Sequence, residues 1–195
     1  MTTQTVERPP RSGAPMGRDE VVAAVLATAA QLYADKGPTA TSIREVAAQS
    51  GVNHGLVFRH FGSKERLIGA TLEYLGRCVS TLIEQDAPVE QIEDALTVQT
   101  TVMARALLEG YPVSECQTVF PGVALLLERI RPLHDGERAA RFAAANAVAL
   151  QLGWRLFGPF LRTSAGLEGL TDAAVRDAVL AASARIVDPE QRRSR

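Results

Sequence analysis

The stretch from Thr39 to Leu67, TATSIREVAAQSGVNHGLVFRHFGSKERL, constrains this chain more than any other. Ser42 and Glu45 stand at the S-x-x-E spacing of a capping box, in which each side chain satisfies an orphan backbone donor at a helix start. Ile43, Val46 and Ala47 then line one face of a helix predicted over Ser42–Ser50. Gly51 supplies the backbone freedom for a tight turn. Asn53 reads as the N-cap of a second short helix ending at Phe61, with Val52, Val57 and Phe61 turned inward. Ser63 caps a third helix at once. Two short helices across a tight turn are the layout of a helix-turn-helix made for the DNA major groove.

The rest of the chain reads as helix as well. Val22, Val25, Leu26, Ala29, Ala30, Leu32 and Tyr33 recur at three and four spacing and predict a helix over Asp19–Asp35, stopped by Gly37-Pro38. A long helix is expected from Lys64 to about Gln85, with Leu67, Ile68, Leu72, Leu75, Val79 and Leu82 as its apolar stripe. Further helices are expected over Val89–Glu109, in one or two pieces between Val113 and Leu133, over Glu137–Leu161 with a disturbance at Gly158-Pro159, and over Thr171–Ile186. No strand pattern competes. The fold class is all-α: an N-terminal three-helix helix-turn-helix domain over 18–63, then a helical regulatory and dimerisation domain over 64–187. Residues 1–17, with Pro9, Pro10, Gly13 and Pro15, and residues 188–195 are expected to be disordered. Arg8, Arg11 and Arg18 offer a minor-groove arm, with a solvated leader as the plainer reading.

Charge fits contact with DNA at one end. Residues 1–67 hold eight Lys/Arg against six Asp/Glu, whereas residues 68–195 hold thirteen against sixteen. The net charge of −1 argues against a histone-like coating protein, and the mildly basic head on an acidic body suits contact at one end only. Cys78 and Cys116 lack metal-ligand spacing, which points to a reduced, cytoplasmic protein without a metal. No apolar signal core or membrane-length run is present, so neither secretion nor a membrane span is expected.

Within the motif, the start of the second helix meets the base edges. Asn53, His54 and Gly55 open it; His54 is placed to donate or accept at a base, and Leu56 to pack on a thymine methyl. Arg44 reads as a fork for guanine or phosphate. Thr41 and Ser42, at a helix N-terminus, read as phosphate contacts, as do Arg59, His60 and Lys64. Gly55 inside a helix costs about 1 kcal/mol against Ala, which makes sense if backbone lies close to another molecule. Each has a plainer reading as a solvated side chain.

This stretch resembles the DNA-binding domain of the TetR family of bacterial transcriptional regulators. The matching residues are Ser42, Ile43-Arg44-Glu45-Val46-Ala47, Gly51-Val52-Asn53, Gly55, Val57, Phe61, Ser63-Lys64-Glu65 and Leu67. With the first helix, the resemblance covers roughly residues 19–70. It implies a cytoplasmic homodimer that binds a double-stranded, palindromic DNA operator and is released by a small-molecule effector, usually as a repressor. Phe58 stands where the family commonly has a phosphate-reaching tyrosine, and Leu56 where a threonine is common. The phenyl ring cannot donate a hydrogen bond.

Ala139, Ala140, Ala143, Ala144, Ala147, Val148, Gln151 and Trp154 form a face of mostly small residues. With Ala173, Val175, Val179, Ala182 and Ile186 it reads as a four-helix dimer seam, or as intramolecular core. Tyr74, Gln99, Thr100, Met103, Arg105, Phe120 and Trp154 are candidate pocket residues, with plain core as the bland alternative. No catalytic residues or cofactor are expected. Of three histidines, two lie on the DNA face, and His134 sits in a loop without a nearby nucleophile. The competing reading is a helical dimeric interaction protein or a ligand-dependent activator.

Overall fold

The computed structural model describes residues 17–188, and every regular element among them is helical. Of the tails expected to be disordered, residues 1–16, with Arg8 and Arg11, and 189–195 lie outside these residues, while Gly17 caps α1, Arg18 is its first residue and Asp188 follows α9. The elements are α1 (Arg18–Lys36), α2 (Ile43–Ser50), α3 (His54–Phe61), α4 (Lys64–Glu84), α5 (Val89–Leu108), α6 (Val113–Cys116), α7 (Pro121–Ile130), α8 (Glu137–Ser164) and α9 (Asp172–Val187). A 3₁₀ turn over Arg131–Leu133 follows α7.

The helix starts form where local polar groups dictate. Asn53 Oδ1 accepts from the Gly55 N–H at 2.8 Å, Ser63 Oγ from Arg66 at 3.2 Å and Thr171 Oγ1 from Ala174 at 3.2 Å. Each removes one orphan donor from a helix start. At the box expected over Ser42 and Glu45, the Ser42 Oγ accepts from the Glu45 N–H at 3.1 Å. The Glu45 carboxylate takes Lys36 at the end of α1 as its principal partner, with the Ser42 backbone as a weaker one. The same pair holds the Glu45 carboxyl below the usual carboxylate range.

One core joins the head to the body. Val25, Ala29, Val46, Val57, Leu67 and Ile68 are fully buried, and the cluster continues through Leu72, Leu75, Val102 and Ala106. Tyr33 lies inside it. Burial first, then the neighbouring Tyr111 and Glu65, push its hydroxyl above the ordinary range. At Gly69 the backbone of α6 comes so close that a Cβ would stand 1.9 Å from the Cys116 carbonyl oxygen. A side chain at this point of α4 would force the two elements apart.

The far end is built differently. A small cluster of Ile130, Ala140, Ala143 and Ala144 holds α8 to α7, with Leu126, Leu127 and Val187 against it. His134 Nε2 lies 2.9 Å from the Val187 carbonyl, which gives this histidine a structural place at the end of α9. α8 continues through Gly158 and Pro159 for 28 residues, so the disturbance expected there does not end the helix. Proline removes one N–H and leaves the Arg155 carbonyl without its helical donor. The alanine-rich face takes the second of its two readings in part. Ala140, Ala143, Ala144 and Ala147 are buried within the chain, so this part of the face is intramolecular core and not an exposed seam.

Candidate nucleic-acid interface

The turn between α2 and α3 has the geometry that the motif requires. Gly51 adopts φ 71° and ψ 13°, left-handed backbone that a Cβ disfavours. The next N–H, of Val52, closes on the Ala47 carbonyl at 3.0 Å. Val46, Ala47, Val52 and Val57 are buried beneath, which fixes the roll of α3 about its own axis. That roll decides what α3 presents.

Asn53, His54, Gly55, Phe58 and Arg59 are exposed, the Phe58 ring to 55%. Leu56 and His60 are half-buried: Leu56 packs against the main core, and the His60 ring lies tilted beside Phe61. Leu56 therefore has part of its surface engaged in the fold. Arg44 is exposed on α2, while Lys36 is already paired with Glu45. Gly55 has a local reason to lack a side chain, because a Cβ would press to 3.1 Å on the capping oxygen of Asn53.

Thr41 departs from expectation. It is fully buried, and its hydroxyl donates to the Gly37 carbonyl at 2.9 Å. The group expected on phosphate is spent in closing the loop before α2. Ser42 is exposed but already serves as the α2 cap.

Lys64 is half-buried at the joint between head and body. Its ammonium donates to the Thr39 carbonyl at 3.2 Å and stands 5.8 Å from the centre of the Tyr111 ring. From the other side, the Thr39 N–H donates to a Glu109 carboxylate oxygen at 2.6 Å. That carboxylate also packs against Gly37, where a Cβ would overlap it. One residue of the loop before α2 is thus held at both its N–H and its C=O by charged groups. Sequence reasoning missed Glu109 and Tyr111. Seventy positions separate Glu109 from Thr39, and no local pattern marks the pair.

The expected pocket residues are scattered. Tyr74 and Met103 pack against the main core, Thr100 is buried, and Phe120 is 46% exposed. Gln99 lies against Gly76, and Arg105 is half-buried on α5. Trp154 lines a cleft of about 270 Å³ between α5, α8 and α9. Glu93, Arg155, Arg162, Val175 and Val179 share its walls.

A packed helix-turn-helix with the outer face of its second helix exposed, carried on a larger helical body, defines a DNA-binding protein. Residues 25–71 match the family model described as bacterial regulatory proteins, tetR family. The chain is 53% identical over 175 residues to the HTH-type transcriptional repressor Rv3405c of Mycobacterium tuberculosis, covering 90% of this chain and 93% of that protein. It has the same identity and coverage with the HTH-type transcriptional regulator Mb3439c of Mycobacterium bovis. A crystal structure from Shewanella sp. PV-4, assigned to the tetR family, superposes with a TM-score of 0.52 at 20% identity, over 84% of this chain and 95% of that one. That likeness speaks for the fold. The chain belongs to the TetR family and is a DNA-binding transcriptional regulator.

Proposed function

We propose that the protein is a homodimeric repressor that reads a palindromic operator through α3 and leaves it when a small molecule binds the helical body. The observation that carries this reading is the division of α3, with Val57 fully buried and His54, Phe58 and Arg59 exposed on the other side. His54 and Arg44 reach base edges; Arg59, His60 and Lys64 hold phosphates. Ser42, Asn53 and Gly55 present the helix starts to the backbone, and Leu56 offers its exposed part to a thymine methyl. Thr41 has no place at the interface. A relative named as a repressor supports the sign of regulation. As a reader of bacterial DNA, the protein works in the cytoplasm.

Dimerisation is supported by the face of α8 opposite the buried alanines. Phe142, Leu156, Phe157 and Phe160 are exposed there, at 60%, 39%, 59% and 69%, and Leu180 on α9 is 46% exposed. Aromatic side chains bury roughly 150–250 Å² each when covered. An apolar stripe of this length on a helix end calls for a partner, and a two-fold copy supplies the same stripe. Two heads related by a two-fold axis match a palindrome, with half-sites about one DNA turn apart.

The test is fluorescence anisotropy on DNA from upstream of the protein's own gene, against scrambled DNA, across a salt series. Selective binding that falls steeply with salt is expected, because each neutralised phosphate releases counterion. Equal and weak binding to both DNAs overturns the operator-reading assignment.

A further inference from the structure

We infer that the cleft between α5, α8 and α9 binds an amphipathic carboxylate, with Arg162 as the residue that recognises the anionic head. The inference rests on the proposed effector control and gives it a site and a ligand class.

The cleft has a charged mouth and an apolar interior. Arg155, Arg162 and Arg176 line it against only Glu93 and Asp172, so the lining carries an excess of positive charge. A second, almost wholly apolar cavity of about 130 Å³ adjoins it, and the two share Trp154, Val175 and Val179. Leu167, Leu170, Ala178 and Ala182 complete the apolar side. A ligand with an apolar ring or chain and one anionic end fits this division.

The three guanidinium groups are not equivalent. Arg155, with its side chain 14% exposed, is tied to Glu93 at 2.7 Å and links α8 to α5. Arg176 faces Asp177 at 3.9 Å. Arg162 is only 23% exposed, yet its partner Asp172, at 2.5 Å, is 96% exposed. The Arg162 fork also donates to the Leu170 carbonyl. A solvated aspartate loses little on release, because exposed pairs contribute little. An incoming carboxylate gains the Nη1 donor that Asp172 now holds and buries its apolar body at the same time. Asp172 thus stands where the ligand's head would go. Along α8, Gln151, Trp154, Arg155 and Arg162 lie on the side away from the Phe142–Phe160 stripe, so pairing through that stripe leaves the cleft accessible.

Trp154 is the sole tryptophan in the chain and borders both cavities, so ligand entry can be read from its fluorescence with no DNA present. The probes are octanoate and phenylbutanoate, with octanamide and phenylbutanamide as uncharged partners. A saturable fluorescence change is expected for the acids at up to millimolar concentration, with affinity at least about tenfold weaker for the amides. Arg162→Gln should weaken acid binding about tenfold or more, while Asp172→Asn should strengthen it several-fold by removing the resident competitor. Loss of fold would lower both variants together, and thermal melts followed by circular dichroism identify that case; acid binding unaltered in a folded Arg162→Gln protein overturns the inference. So do equal binding of acids and amides, and the lack of any saturable change. Anisotropy on operator DNA is then measured with the acid present. Acid binding that leaves DNA affinity unchanged keeps the site and overturns effector control.

Discussion

The two ends of this molecule treat their apolar residues in opposite ways. In the head and the first turn of α4, Val25, Val46, Val57 and Leu67 are fully buried inside a single chain. On the outer side of α8, three phenylalanines stand more than half exposed. The head closes its core against the first helices of the body, and its recognition surface is made of what packing left over. The far end is incomplete alone, and its outward stripe is arranged for something else to finish. Precision at the DNA needs a rigid platform, whereas a surface that pairs with a copy must remain apolar until it does.

The contrast can be broken most directly by truncating one side chain at each end. Leu67→Ala should cost about 2–5 kcal/mol, seen as a lower urea midpoint at every protein concentration. Phe160→Asp should instead weaken the dimer by about 2 kcal/mol or more, with sedimentation showing monomer at concentrations where the parent is paired. A urea midpoint for Leu67→Ala that matched the parent, or an unchanged dimer for Phe160→Asp, would erase the distinction.

The head can then be divided further. Arg44→Ala or His54→Ala should cost about 1–3 kcal/mol at one base position and relax preference there. Lys64→Ala should weaken all DNAs alike and make the salt slope shallower by about one. Uniform losses from all three changes would remove the base-reading role from α2 and α3.

A smaller effect is expected at Glu73, which ties α4 to the segment before α7. Burial alone would raise its carboxyl, but the Thr118 N–H at 2.6 Å, the Thr118 hydroxyl and the Val119 N–H hold it below the usual range. A lowered native value means stability that is present above the ordinary carboxylate pKa and is lost as pH falls through the native one. The Glu73→Gln protein should therefore lose less stability than the parent between about pH 5 and 3, measured by urea melts across that range. Smallest of all, Phe58→Tyr should tighten DNA binding by about 1 kcal/mol or less through one added phosphate hydrogen bond. Weaker binding would show the ring packed and not facing phosphate.

How much of this was legible depended on distance along the chain. The caps at Asn53, Ser63 and Thr171 act within three residues, and the sequence pattern identifies each of them. The charged partner that the Glu45 carboxylate takes in addition to Ser42 is Lys36, nine positions before Glu45, which no capping pattern marks. Thr41 looks like any polar residue before a helix, and only the folded loop shows its hydroxyl turned onto Gly37. On α8 the periodicity is ambiguous because two faces are apolar. The alanine face is the easier to notice, but the phenylalanine face is the one left uncovered. The cleft at Trp154 draws on α5, α8 and α9, and nothing in a single helix marks it.

The grip on Thr39 has a consequence for building hybrids. Glu109 and Tyr111 come from the body, Lys64 from the head's edge, and they meet on one residue of the loop that leads into α2. A chimera joining this head to the body of another regulator would keep every residue of the helix-turn-helix and still lose that grip. Swaps that carry Glu109 and Tyr111 with the head should preserve its seating, but they also carry Glu93 of α5, one wall of the cleft, so the head cannot be exchanged cleanly from the effector site.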